Sequence, residues 1–307
     1  MSAVAPVFLL MGVGGAARAL KWINASGEQS LLKLVVNVVY PAFLFWLVVQ
    51  NEAIRSPEVV FKAIFTGFVF ILIGYALFYA AGPLFGLKNN RERRTFSFTG
   101  GIYNYGYFAI PISTSLFGLE TTGVLMVISV GVEISMWSVG VLIVSGEINR
   151  RSIKRVLSPP VIAILAAIAI NKAGFGPAVP TFAMDFLDIL GRCAVPLGLI
   201  MIGSTIQQLI VEQPLFTRPM IAVGSCLLRS VAMPLIMLAL IYLMPVPDVL
   251  KQAAMVHAAM PCGVFPIVLC RVYNGATDIA LRTVIPTCIL ALVTIPIWIK
   301  IGLSWID

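Results

Sequence analysis

Five ionisable residues stand inside long apolar stretches of the chain: Glu133, Asp188, Arg192, Arg229 and His257. Charge at the middle of a membrane is costly, and such groups are read first as functional. Glu133 and His257, the single histidine, are the groups of this set that can exchange a proton near neutral pH, so both are candidates to carry a coupling proton. For His257, one turn before Pro261, a hydrogen-bonded packing role stands beside that reading. Asp188 and Arg192 are spaced i,i+4 and can pair on one helix face. They read either as a structural ion pair or, next to Pro196, as a gate or substrate contact. Arg229 either neutralises Glu133 across the bundle or binds a substrate anion.

Two further stretches could do chemistry through their backbone. One reads Asn104-Tyr105-Gly106-Tyr107-Phe108-Ala109-Ile110-Pro111, the other Met260-Pro261-Cys262-Gly263-Val264-Phe265-Pro266. Proline inside a helix removes a backbone hydrogen bond and clashes with the preceding turn. Lipid does not tolerate the freed groups, so a broken helix needs protein or a cavity beside it. Where the next half-helix begins, unpaired N–H groups carry a partial positive charge and bind carboxylates. Asn104, Tyr105, Gly106, Pro111, Pro261, Cys262 and Gly263 are therefore candidate substrate-binding residues, with Arg192 and Arg229 as possible counter-charges. One such interruption alone reads as a kink. Two at corresponding places in a repeat are a pointer to a transporter site.

The elements that must position these groups follow from composition. Of 307 residues, 60% are hydrophobic and 11% charged, and the mean hydropathy is +0.99. Soluble domains carry roughly 25% charged residues, so a water-facing globule is excluded. A membrane-crossing helix takes about 20 apolar residues. Apolar segments run at about 4–20, 33–50, 60–83, 95–117, 121–146, 157–173, 182–210, 219–244, 250–270 and 279–300. The expected fold is all-α and integral to the membrane, with ten transmembrane helices. The net charge of +8 is spread over short gaps between apolar runs, which argues for loop charges and against nucleic acid. The five cysteines lie in apolar runs without a CxxC pair, so neither a disulfide framework nor a zinc site is expected. No GxxxxGK[ST], HExxH or GxSxG motif occurs, and no cofactor and no enzymatic activity are expected. Met1–Ala17 has no basic residue ahead of its apolar stretch, so no cleavable signal peptide is expected.

The basic residues set an orientation. Arg18, Lys21, Lys33, Lys88, Arg91, Arg93, Arg94, Arg150, Arg151, Lys154, Arg155, Arg218, Arg271 and Arg282 fall in the odd-numbered gaps, against Arg55, Lys62, Lys172, Lys251 and Lys300 in the others. The bias places the odd gaps in the cytoplasm and both termini outside. The halves also resemble each other. Gly106-x-Phe108-x-Ile110 matches Gly263-x-Phe265-x-Ile267 at an offset of 157 residues, and Gly118 matches Gly275 at the same offset. Asn37-x-x-x-Pro41 faces Arg192-x-x-x-Pro196 near it. An odd number of helices per repeat inverts the second copy, as in many secondary transporters. Trp22, Trp298 and Trp305 sit at segment ends and read as interface anchors.

The segment Asn104–Pro111 resembles the N-x-G-(F/Y)-x-G-(I/L)-P stretch of auxin efflux carrier transporters, with Ala109 where a glycine is usual. Ala259-Met260-Pro261, Leu269 and Tyr273-Asn274-Gly275 are similar to that family's second crossover helix, and Tyr40-Pro41-Ala42 and Val195-Pro196-Leu197 to its proline-bearing second and seventh helices. The long central loop of the plant carriers is absent, as in bacterial members. The resemblance covers essentially the whole chain. It implies one transporter domain of two inverted five-helix repeats, 1–150 and 151–307, with helices four and nine broken and crossing at the substrate. It further implies scaffold helices at about 4–50 and 157–210 that form a homodimer, and transport helices at about 60–146 and 219–300. The implied activity is secondary transport of a small organic anion, such as malonate or an auxin-like acid, across the cell membrane. Coupling would be to protons or sodium, with Glu133, His257 and Asp188 as coupling-ion candidates. A bile-acid-type sodium symporter shares the plan, and a channel or sensor without coupled turnover is the alternative from another class.

Overall fold

The computed structural model describes residues 5–147, 157–212 and 218–306. Arg150, Arg151, Lys154 and Arg155, which contribute to the charge bias, lie outside them. Among the described residues the fold is all helical. The one β-type pairing is an isolated antiparallel bridge between Tyr103 and Cys262.

Among the described residues, six helices are long and apolar enough to cross a membrane. They are α2 (Ser26–Val49), α3 (Pro57–Phe85), α5 (Ala109–Ser145), α7 (Thr181–Glu212), α8 (Pro219–Leu243) and α11 (Thr277–Ile306). Two shorter apolar helices, α1 (Ala5–Ala19) and α6 (Pro159–Lys172), stand where the first and sixth segments are expected. The interrupted stretches appear as half-helices. α4 (Asn90–Gly101) ends before the first break and α5 begins after it, while α9 (Asp248–Ala259) and α10 (Phe265–Val272) flank the second.

Local chemistry explains the boundaries. Ser56 caps α3 ahead of Pro57, and the Asn89 side chain accepts from the Arg91 N–H at 2.8 Å to open α4. Pro266 falls in the first turn of α10, where its missing N–H costs nothing. The prolines of the second break thus begin a helix as well as end one. Gly118 has φ 82°, a left-handed value that glycine adopts freely. It turns the chain between the two parts of α5, at the gap expected between segments four and five.

Close backbone approach holds the helices together, because lipid tails give apolar side chains no incentive to leave. Gly14 of α1 lies against the Ile200 carbonyl of α7, and Gly203 of α7 against Met11. Gly67 of α3 lies against Ile128 of α5, and Gly131 of α5 against Ile64. Two packing groups result: α1, α2, α6 and α7 on one side, and α3, α4, α5, α8, α9, α10 and α11 on the other. They meet where α5 touches α2 and α6. Trp298 differs from its expected place at a membrane interface. It is buried, and its Nε1 donates to the Ser230 carbonyl at 2.7 Å. That carbonyl lies in the π-helical turn Leu228–Ala232 of α8. Trp22 is 79% exposed, as an anchor would be.

Candidate substrate site at the helix crossing

The two breaks meet. Between α4 and α5 the chain runs extended through Ile102, Tyr103 and Asn104, and between α9 and α10 it runs extended through Met260–Gly263. The Asn104 N–H donates to the Pro261 carbonyl at 2.8 Å, and the Gly263 N–H to the Ile102 carbonyl at 2.8 Å. Asn104 and Pro261 are themselves separated by the 157-residue offset of the repeat. Each break therefore satisfies the other's backbone, which is how two interrupted helices persist side by side in an apolar interior.

A cavity of about 240 Å³ lies against this crossing. Asn104, Tyr105, Gly106 and Tyr107 line it from the first break, and Gly263, Val264, Phe265 and Pro266 from the second. The opposite wall comes from the other packing group and includes Val36, Tyr40, Leu44, Ile164, Met201 and Thr205. The half-helix beginnings of α5 and α10 thus open on one space. Backbone N–H groups of Gly106, Tyr107, Val264 and Phe265 have no partner among the described residues. Asn104 is buried, and its Oδ1 accepts from the Phe108 N–H at 3.3 Å. Its amide Nδ2 remains as a donor.

Among the described residues, one charged side chain lines the cavity, Glu133 of α5. Oε1 accepts from the Tyr105 hydroxyl at 2.5 Å and Oε2 from the Trp137 Nε1 at 2.7 Å. Arg229 is not its partner, contrary to one of the expectations above. Arg229 is fully buried behind the crossing, where Nε donates to the Met260 carbonyl at 2.8 Å and Nη2 to the His257 and Ala258 carbonyls at 3.3 and 3.4 Å. It caps the open end of α9. His257 is buried beside it, with its ring 4.9 Å from that of Tyr103 and Nε2 3.3 Å from the Tyr105 carbonyl. Neither Arg229 nor His257 lines the cavity.

Asp188 and Arg192 pair at 2.8 Å on an outward face of α7, with the Arg192 side chain 78% exposed. The structure does not bring them to the cavity. Pro111 and Pro261 flank the crossing without lining the cavity, and Pro111 faces a groove beside Pro6 and Val195. Cys262 is buried in the bridge, its thiol 3.8 Å from the Gly100 carbonyl. Of the expected residues, Asn104, Tyr105, Gly106, Gly263 and Glu133 converge on one space.

A membrane transport protein family model matches residues 1–299. An uncharacterized transporter of Methanothermobacter thermautotrophicus is 24% identical over 303 residues, covering 96% of each chain. The chain is a member of the auxin efflux carrier family. It is a multi-pass membrane transporter and not an enzyme.

In this auxin efflux carrier member, several wall residues were not among the expected site residues, although Tyr40, Tyr107 and Phe265 stand in the quoted motifs. Tyr40, Tyr107, Trp137, Phe265 and Thr205 line the cavity. Trp137 had a local signal, since it stands four residues after Glu133 on one helix face. Tyr40 had no such spacing to a candidate residue. It reaches the site because Gly106 has no side chain: a Cβ there would collide with the Tyr40 hydroxyl.

Proposed function

We propose that the protein is a secondary active carrier of a small organic anion that works by alternating access. The observation that carries this reading is the pair of half-helix beginnings, α5 and α10, opening on one cavity. Their free N–H groups form an anion site without a side-chain cation, and Asn104 adds an amide donor. The substrate carboxylate sits between Asn104–Gly106 and Gly263–Phe265, and its body lies against Val36, Leu44 and Ile164.

Glu133 is the coupling group in this reading. It is the charged side chain of the cavity wall, and a carboxylate substrate beside an ionised Glu133 is repelled. A proton on Glu133 removes the repulsion, so proton and anion move together. His257, away from the cavity, is a weaker candidate on geometry, and Asp188 is on the outer face.

The two packing groups fit a scaffold of α1, α2, α6 and α7 and a transport unit of the remaining helices. In this reading the unit carries the crossing past the scaffold wall. The corresponding breaks, 157 residues apart, support two inverted five-helix repeats: α4 with the part of α5 before Gly118 is one crossing, the rest of α5 the next, and α9 with α10 another, ten in all. The scaffold faces pair in a homodimer, the charge bias places both termini outside, and the protein lies in the cell membrane.

The test is uptake into proteoliposomes. Acetate, malonate, phenylacetate and indole-3-acetate are offered under an inward proton gradient, an inward sodium gradient, or neither. Saturable accumulation of at least one carboxylate above its external concentration, driven by the proton gradient, is expected. Flux that only equilibrates indicates a channel, and accumulation driven by sodium alone indicates a sodium symporter.

A further inference from the structure

Among the described residues, Arg229 is a guanidinium with no carboxylate beside it. It is fully buried, its Nη1 has no hydrogen-bond partner, and its other N–H groups go to carbonyls at the end of α9. A helix end carries about half a negative charge, so the carbonyls offset only part of the guanidinium. The remainder is little screened in an apolar interior. Its direction is set by Tyr103: the guanidinium carbon lies 5.2 Å from the centroid of that ring, and Tyr103 also lines the cavity. One aromatic ring thus separates a fixed positive charge from the space that no cationic side chain lines among the described residues.

The sequence aims Arg229 there through a local irregularity. It stands in the π-helical turn Leu228–Ala232, and π turns inside α-helices recur at functional sites. The same turn frees the Ser230 carbonyl for Trp298, which anchors the turn to α11.

We infer that Arg229 is a positioning residue that makes the cavity select an anion, holding the Met260–Gly263 strand in place and supplying positive potential through Tyr103. The inference rests on the proposed carboxylate site at the crossing. It also gives that site its charge balance. A bound carboxylate and a protonated Glu133 leave one negative charge against Arg229, whereas an ionised Glu133 leaves two. Among the described residues the titratable groups facing Glu133 are Tyr105 and, through the cavity, Tyr40 and Tyr107, beside the neutral Trp137 indole, and none of them is a cation. Arg229 therefore admits one carboxylate for each proton that Glu133 holds.

The experiment measures binding of phenylacetate and of its neutral isostere phenylacetamide to the purified full-length protein. Wild type should prefer the carboxylate by about tenfold or more. Arg229→Gln retains an amide donor for the Met260 carbonyl but no charge, and should lose most of that preference. Arg229→Lys retains the charge and should keep it. A purely structural role would weaken both probes alike and leave their ratio unchanged. An unchanged ratio in folded Arg229→Gln overturns the inference while leaving the carboxylate site standing. If the glutamine variant does not fold, the lysine variant decides: loss of the preference there overturns the inference. Wild type that binds both probes equally, or neither, overturns the carboxylate site itself.

Discussion

Asn104→Ala separates the cap that the structure shows for Asn104 from the carboxylate contact proposed for it. The side-chain Oδ1 accepts from the Phe108 N–H at 3.3 Å, and its loss costs about 0.5–1.5 kcal/mol of stability, as for an ordinary hydrogen bond. The Nδ2 group is the donor left for a carboxylate. A hydrogen bond to a charged partner contributes about 1.5–3 kcal/mol, which is roughly a tenfold to hundredfold loss of affinity. The assay is thermal unfolding of purified protein with and without phenylacetate, at a concentration about 100 times the wild-type Kd. There, ligand stabilises wild type by about 2.7 kcal/mol. A tenfold weaker variant gains about 1.4 kcal/mol from the same concentration. Asn104→Ala should therefore unfold slightly earlier without ligand and respond about half as much to it. A lowered unfolding temperature with a full ligand response would refute the assignment, leaving Asn104 as a backbone cap alone.

Other outcomes follow from the same geometry. A Cβ at Gly263 would stand 3.2 Å from the Tyr103 carbonyl oxygen and 3.3 Å from Pro266 Cδ, so Gly263→Val should part the crossing strands and abolish phenylacetate binding in the same unfolding assay. Glu133→Gln should keep the protein folded and still exchange substrate across proteoliposomes at equal concentration. It should lose accumulation driven by a proton gradient; retained proton-driven accumulation would move coupling to another group. In Arg93→Cys, the new thiol should react with an impermeant maleimide only after cells are permeabilised, as the orientation proposed from the charge bias requires. Glu92 and Arg218 pair at 2.7 Å near the ends of α4 and α8, and the guanidinium holds the Glu92 carboxyl below the usual carboxylate range. The pair's contribution is present above the carboxylate's unfolded pKa and is lost as pH falls through the lower folded value. It is partly exposed and small, so Arg218→Ala should lower stability by about 1 kcal/mol or less at pH 7, and less still at pH 3.

Part of this architecture was legible in the residues and part was not. The breaks were, because Asn104, Gly106, Pro261 and Gly263 stand in runs too apolar for a loop, and lipid forbids an unsupported interruption there. Their meeting was legible through the repeat offset, which puts Asn104 opposite Pro261. The partners of the buried charges were not. Glu133 and Arg229 have opposite signs and similar depth, so sequence reasoning brings them together, yet each has nearer partners. Glu133 takes Tyr105 from across the break and Trp137 from its own helix. Arg229 takes the carbonyls of α9, which only the interruption of that helix makes available. The π turn that directs Arg229 leaves no mark in composition; its Ser230 carbonyl accepts from Trp298, a partner far along the chain. Asp188 and Arg192 illustrate the reverse: their i,i+4 spacing makes a pair on any helix, and it says nothing about which way the helix faces.

The central claim is that a substrate carboxylate rests on the crossing, between the beginnings of α5 and α10. The most direct test is a structure of the protein with 4-bromophenylacetate, in which anomalous scattering locates the bromine. The account expects the carboxylate within hydrogen-bond reach of Asn104 Nδ2 and the Gly106 or Val264 N–H, with the bromine against Val36, Leu44 or Ile164. A bromine peak away from this cavity at saturating ligand, for instance beside the Asp188–Arg192 pair, would contradict it.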